Sequence, residues 1–296
     1  MARIMLAAVL LCSYLASSNA LDMNTAVDTK DKFVYMNLWG KIEHGDDQKF
    51  RSILLPLIRA GDILFKVNLF TIGGDVQAAM GIGDQIRTAK GMTVAPMKMA
   101  TFVDRRAVST GTVQCWFFAA SGGIVAAGMN NGIFEKNIRT NAGSTWCDCA
   151  SACFLIWSSG LARTGQWVGI HRFRFDETFF GKLPAAEAER LYQSAENQET
   201  GYLKKLDVPD SIIERLYATP STSMYYLSQK ELELAESTPY LEELVLARCG
   251  SAKDQTYWQG NTYNYKQDEK HVECTRSVLK EIETDGAKDY LAKYNQ

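Results

Sequence analysis

Along the first ninety residues the apolar and polar positions change period three times. Residues 32–39, KFVYMNLW, alternate as a half-buried strand does, and Gly40 ends the run. From Asp46 to Ala60 the apolar residues Phe50, Ile53, Leu54, Leu57 and Ile58 recur at helical spacing. Asp62 to Phe70 returns to strand character, Gly73-Gly74 breaks it, and Asp75 to Arg87 reads as a second helix. The first seventy residues thus predict a β-α-β unit with a parallel strand pair. Its carboxyl edge brings Gly73-Gly74 to the place where open α/β sheets bind ligands.

Further on, Thr112 to Phe118 and Ile124 to Ala127 are apolar with Ser121-Gly122-Gly123 between them, which predicts a hairpin. A phosphate-binding loop is the weaker reading of those glycines, because no Gly-Lys-Ser/Thr follows. Cys149 to Trp157 is an apolar run headed by small residues, and Val168 to Ile170 is strand-like. Leu191, Ala195, Tyr202 and Leu206 then recur at helical multiples, Ser211-x-x-Glu214 has the form of a capping box, and Ser228 to Ala235 predicts another helix. From about Glu236 the chain reads as an extension, residues 237–296.

The N-terminus, MARIMLAAVLLCSYLASSNA, has one positive charge at Arg3, an apolar core from Ile4 to Leu15 and a small-x-small site at Ser18-Asn19-Ala20. This is the form of a secretory signal peptide, residues 1–20, and it implies an exported protein, periplasmic or secreted. Its apolar stretch is shorter than the ~20 residues of a spanning helix, and no later segment has that length. No stable membrane span is therefore expected after cleavage. The formal net charge of -2, with both signs well mixed, gives no basic face for nucleic acid.

Past the signal remain Cys115, Cys147, Cys149, Cys153, Cys249 and Cys274, an even set that favours disulfides outside the cytosol. Cys249 and Cys274 flank a polar, aromatic-rich segment and are expected to pair. Cys115 with Cys147 or with Cys149 would tie the hairpin region down. The Cys147-x-Cys149-x3-Cys153 spacing fits no standard zinc set, so no metal site is assigned.

Two candidate reactive groups lie in CDCASACFLIWSSGLARTGQWVGIHRFRF, residues 147–175: Ser151 among small residues, and His171 twenty residues later after a strand-like run. A serine and a histidine can act as nucleophile and general base if backbone N–H groups hold the resulting oxyanion. Glycines present such groups unshielded. Asp75 beside the glycine pair reads as a helix N-terminal charge. Strand alternation puts Arg172 and Arg174 on the face opposite His171.

Four segments, in this order, resemble the Clp-protease-like branch of the ClpP/crotonase superfamily, in particular its exported members. They are Thr71-Ile72-Gly73-Gly74, the helix from Asp75 to Arg87, Cys149-Ala150-Ser151-Ala152-Cys153, and Val168-Gly169-Ile170-His171-Arg172. The resemblance spans residues 32–236. It implies an α/β fold, a spiral of β-β-α units with a helical handle, for a domain over residues 21–236 with an insert at about 95–146 and a small C-terminal extension. It further implies Ser151 as nucleophile, His171 as base, and an oxyanion hole from Gly73, Gly74 and Ala152.

A peptide or protein substrate and no cofactor follow from the same resemblance. The handle region forms oligomer contacts in the family, which leaves open a homo-oligomer here. Two departures stand out. Ile72 replaces the family's proline, and the place of the family's third catalytic residue, an aspartate, falls on Ser223 or Met224 in Ser223-Met224-Tyr225-Tyr226-Leu227-Ser228, with Ser223 the candidate and Asp176 or Asp207 the acids that the fold could bring to His171 instead. A catalytically silent binding or scaffold protein on the same fold is the main alternative to a serine peptidase. A crotonase-type acyl-thioester enzyme is the other.

Overall fold

The computed structural model describes residues 21–96, 116–118, 124–126, 148–175, 180–236, 239–253, 255–259, 262–266 and 268–295. Residues 1–20, read above as a signal peptide, most of residues 95–146, read as an insert, Cys115 and Cys147 lie outside the described residues. Strand β1 (Asp22–Asp28) pairs antiparallel with β2 (Phe33–Ile42), and helix α1 (Asp46–Arg59) leads to β3 (Ile63–Gly74), which lies parallel to β2. Helix α2 (Val76–Thr88) completes the predicted alternation, and strand β4 (Met92–Val94), parallel to β3, continues it beyond what the sequence predicted.

The larger sheet has the order β1-β2-β3-β4-β8, with β8 (Arg163–Thr164) parallel to β4. Its central strand, β3, is apolar almost throughout because both of its faces are covered. One face receives α1 and α2 through Phe50, Leu54, Ile58, Ile82 and Ile86, all buried. The architecture is mixed α/β.

A smaller sheet, in the order β10-β9-β7, carries the candidate residues. It consists of β7 (Cys149–Ala150), β9 (Val168–Ile170), parallel to β7, and β10 (Tyr225–Tyr226), antiparallel to β9. Helix α3 (Cys153–Ser158) follows β7 directly. The predicted hairpin is present as β5 (Trp116–Phe118) against β6 (Ile124–Ala126).

After His171 come α4 (Ala185–Lys205), α5 (Asp210–Ala218) and α6 (Gln229–Glu236). The capping box expected at Ser211-x-x-Glu214 does not form, because α5 starts two residues earlier than that box requires, at Asp210, with Pro209 at the N-cap and Ser211 already inside the helix. Proline's fixed φ suits a helix start, so it sets the boundary. A reciprocal box exists instead at the head of α6. The Ser228 N–H donates to Glu231 Oε2 at 2.8 Å, and the Glu231 N–H donates to Ser228 Oγ at 3.3 Å.

Residues beyond 236 form α7 (Pro239–Cys249), the hairpin β11 (Gln255–Gln259) and β12 (Thr262–Lys266), and the long α8 (Glu269–Tyr294). Cys249 and Cys274 are joined, with Cα atoms 5.7 Å apart, tying α7 to α8. Helix α8 is not an appendage. Tyr290 is fully buried and donates to Gln85 Oε1 at 2.8 Å, Ala287 packs on the Phe33, Ile63 and Phe65 cluster, and Gly286 lies where a β-carbon would strike the Ala89 carbonyl. The end of the chain therefore covers the sheet that the beginning of the chain builds. Among the described residues no helix is long and apolar enough to cross a membrane.

Burying α8 places Glu283 out of contact with water, with neither carboxylate oxygen hydrogen-bonded among the described residues. Burial pushes its carboxyl up to about 9. A carboxyl raised in the folded state binds its proton more tightly there than in the unfolded chain. Stability must then fall as pH rises from about 4.5 to about 9. We predict that Glu283→Gln leaves stability unchanged near pH 4 and raises it by about 1 kcal/mol or more at pH 8. Denaturant titrations at the two pH values measure this, and parallel pH profiles for the two proteins would contradict it.

Candidate active site

Strand β3 ends in Thr71-Ile72-Gly73-Gly74, and both glycines adopt positive φ, 91° at Gly73 and 143° at Gly74. A β-carbon on Gly74 would strike the Ile42 carbonyl oxygen of the neighbouring strand. The Gly73 N–H donates to Thr71 Oγ1 at 3.1 Å. Asp75 then caps α2: its carboxylate accepts the Ala78 N–H at 2.7 Å while its own N–H donates to the Ile42 carbonyl at 2.9 Å. That occupation makes Asp75 a structural cap, as its position beside the helix suggested.

Ser151 sits at the turn from β7 into α3 with φ 59°. A non-glycine residue held there costs about 1–2 kcal/mol, so the surroundings must enforce it. The Ser151 N–H donates to the Gly169 carbonyl at 2.9 Å and the Ser151 carbonyl accepts the Phe154 N–H at 2.9 Å. Cys149 and Cys153 close a disulfide around the turn, with Cα atoms 5.2 Å apart. Cys149 is thus paired with Cys153 and not with Cys115, and neither sulfur is a free thiolate for a metal.

Gly73 is packed against this turn. A β-carbon at residue 73 would lie 2.5 Å from Ser151 Cβ and 2.8 Å from both the Ala150 carbonyl oxygen and the Ala152 nitrogen. The structure therefore brings the glycine turn, Ser151 and the Ala152 amide into direct contact.

Helix α3 has only six residues, all buried, and its last carbonyls have no partners within the helix. Side chains supply them. Tyr202 donates to the Leu155 carbonyl at 3.3 Å, Ser159 to that of Ile156 at 2.6 Å, Thr93 to that of Trp157 at 2.6 Å, and Arg163 to that of Ser158 at 2.6 Å. The helix behind Ser151 is thus fixed at its start by a disulfide and at its end by four side-chain donors.

His171 follows β9, whose Val168 and Gly169 pair with Cys149 and Ala150 of β7. Ser151 and His171 accordingly leave the same end of two adjacent parallel strands. His171 is half-buried and flanked by exposed Arg172 and Arg174. Burial lowers its basicity, a backbone contact at Arg172 raises it, and the Arg174 charge lowers it, with the net below the ordinary imidazole value of 6.5. Its Nδ1 is buried without a hydrogen-bond partner among the described residues.

Neither Ser223 nor the acids Asp176 and Asp207, which the fold could have brought to His171 in its place, is seen to fill that gap. Ser223 is exposed, its N–H donates to the Pro220 carbonyl at 2.9 Å, and its hydroxyl makes no bond to Nδ1 of His171. Asp207 faces Arg87 at 3.6 Å, and Asp176 lies outside the described residues.

One acid escaped the sequence reading. Asp148, three residues before Ser151, is buried; its Oδ2 accepts the Tyr226 hydroxyl at 2.6 Å, and burial raises its carboxyl. It braces the small sheet from β7 to β10. Only its place between two cysteines marked it in the sequence. Met224, the other residue at the family's aspartate position, has no charge to offer, and its side chain lies where a β-carbon on Gly169 would meet it, 2.8 Å from Sδ.

No family model matches the chain, and no curated protein matches it closely enough to count as a relative.

Because the residue 73 position has no room for a side chain, Gly73→Ala must move the Ser151 turn or strain its own backbone. We predict a loss of about 2 kcal/mol or more in unfolding free energy. Ile72→Ala, at a 42% exposed neighbour, should stay within about 0.5 kcal/mol of the parent. Urea denaturation of both variants provides the check; equal losses would contradict the close packing of Gly73 on Ser151.

Proposed function

We propose that this chain is an exported serine hydrolase, acting on peptide or protein substrates, built on a ClpP/crotonase-like fold. The observation that carries this reading is the contact of Gly73 with the strained Ser151 turn, beside a histidine leaving the adjacent strand. A serine held at φ 59° against the bare backbone of Gly73, with the Ala152 nitrogen alongside, is an arrangement that acyl transfer can use. The paired cysteines suit an oxidising compartment, in keeping with the signal-like N-terminus.

In the proposed reaction His171 takes the proton from Ser151 Oγ as it attacks the acyl carbon. The oxyanion is held by the N–H groups of Gly74 and Ala152. Gly73 contributes its missing side chain more than its amide, since that amide already donates to Thr71. His171 then protonates the leaving group, and water repeats the sequence on the acyl-enzyme. Each oxyanion donor is worth ~3 kcal/mol in such a site.

The unpartnered Nδ1 of His171 favours a second reading, a catalytically silent binding protein on the same fold. Without a carboxylate behind it the imidazolium formed during reaction lacks its usual charge partner, so even an active protein should turn over slowly.

The two readings separate on reaction with a fluorophosphonate probe. A hydrolase forms one covalent adduct, mapped by mass spectrometry to Ser151 and lost in Ser151→Ala. Because the base must be neutral and its pKa is depressed, the labelling rate should rise with pH and reach half its maximum below pH 6.5. Absence of an adduct on the folded protein would favour the silent reading. A midpoint well above pH 6.5 would remove His171 from the role of base.

A further inference from the structure

The Cys149–Cys153 disulfide differs from Cys249–Cys274 in what it can do. A cross-link restricts the unfolded chain by an amount that grows with the logarithm of the loop it closes. With a sequence separation of 4 against 25, the first bond is the poorer global staple of the two. Both of its cysteines are fully buried, so it secures no surface loop either. What a ring this small constrains is its own middle, and the middle residue is Ser151.

Two hydrogen bonds at Ser151, to Gly169 and from Phe154, hold one flanking peptide each, and the disulfide closes a ring around both. Left alone, a serine at φ 59° gains by returning to negative φ. That return reorients the Ser151–Ala152 peptide, and with it the Ala152 N–H beside Gly73.

We propose that the Cys149–Cys153 disulfide is a positioning device that holds Ser151 and the Ala152 amide in their reactive orientation. The proposal rests on the reading of Ser151 as nucleophile.

The test compares two double variants, Cys149→Ala/Cys153→Ala and Cys249→Ala/Cys274→Ala, in full-length protein. For each, fluorophosphonate labelling is resolved into the maximal inactivation rate and the probe's apparent affinity. Thermal stability and amide hydrogen exchange are followed in parallel. Loss of the first disulfide should lower the maximal rate about tenfold or more with affinity kept within about twofold, the pattern of a misplaced reacting group. Exchange of the Phe154 amide should quicken about tenfold, with amides of α2 unchanged.

Loss of the second disulfide should cost at least as much thermal stability and leave the maximal rate unaltered. An unchanged rate in the first variant, or rates falling in both variants in step with stability, overturns the proposal. If the wild-type protein takes no label, the reading of Ser151 as nucleophile fails, and hydrogen exchange alone decides the positioning role. Faster exchange confined to residues 151–154 then upholds it and unchanged exchange rejects it. Should the double alanine variant not fold, Cys149→Val/Cys153→Ala restores part of the lost volume and is read in the same way.

Discussion

There is no space for a side chain at residue 73, and much of the structure follows from that. The end of β3 can touch the Ser151 turn only because Gly73 presents bare backbone to it. The contact joins the large sheet to the small one and lays the start of α2 beside the start of α3. It also sets the Gly73 backbone beside Ser151 Cβ and the Ala152 nitrogen. Glycine is needed twice over, since the positive φ of residue 73 would strain any other residue even in open space.

A close approach of this kind is useful only between rigid partners, and both partners are held firmly. Asp75 caps α2 and ties it to Ile42, while β3 is covered on both faces, on one of them by a helix from the far end of the chain. Behind Ser151, the short α3 has its four final carbonyls taken by Tyr202, Ser159, Thr93 and Arg163. Arg163 is itself buried, and burial holds its guanidinium down to about 10. It also reaches the Leu206 carbonyl at the end of α4, so one side chain joins two helices. The helix that follows the strained Ser151 is thus held by side chains from three other elements, β4, β8 and α4, and by its own C-cap Ser159.

The regular part of this architecture was legible in the sequence. Alternation over 32–39, the helical recurrence of Phe50, Leu54 and Ile58, and the apolar run into Gly73-Gly74 each state a local preference that the fold keeps, including the parallel pairing of β2 with β3. Cys249 and Cys274 were legible for the same local reason, two cysteines flanking one segment. What escaped depends on tertiary contact. Ser211-x-x-Glu214 has the form of a capping box, but Pro209 starts the helix earlier. Helix α8 carries too few apolar residues to announce itself as core, and its burial comes from Gly286, Ala287 and Tyr290 meeting surfaces made two hundred residues earlier. Within the candidate site, the family resemblance pointed to Ser151, His171 and the glycines, whereas the bracing by Asp148 and the Cys149–Cys153 pairing arise only once β7, β9 and β10 lie side by side.

The claim on which the account stands is that Ser151 and the amides of Gly74 and Ala152 act on one acyl group. A crystal structure of the protein after reaction with a fluorophosphonate tests it directly. The account predicts a phosphorus–Oγ bond at Ser151, a phosphoryl oxygen about 3 Å from the nitrogens of Gly74 and Ala152, and a ring nitrogen of His171 within hydrogen-bond reach of the adduct. An adduct on another residue, or a phosphoryl oxygen turned to solvent while those two amides bond elsewhere, would contradict it.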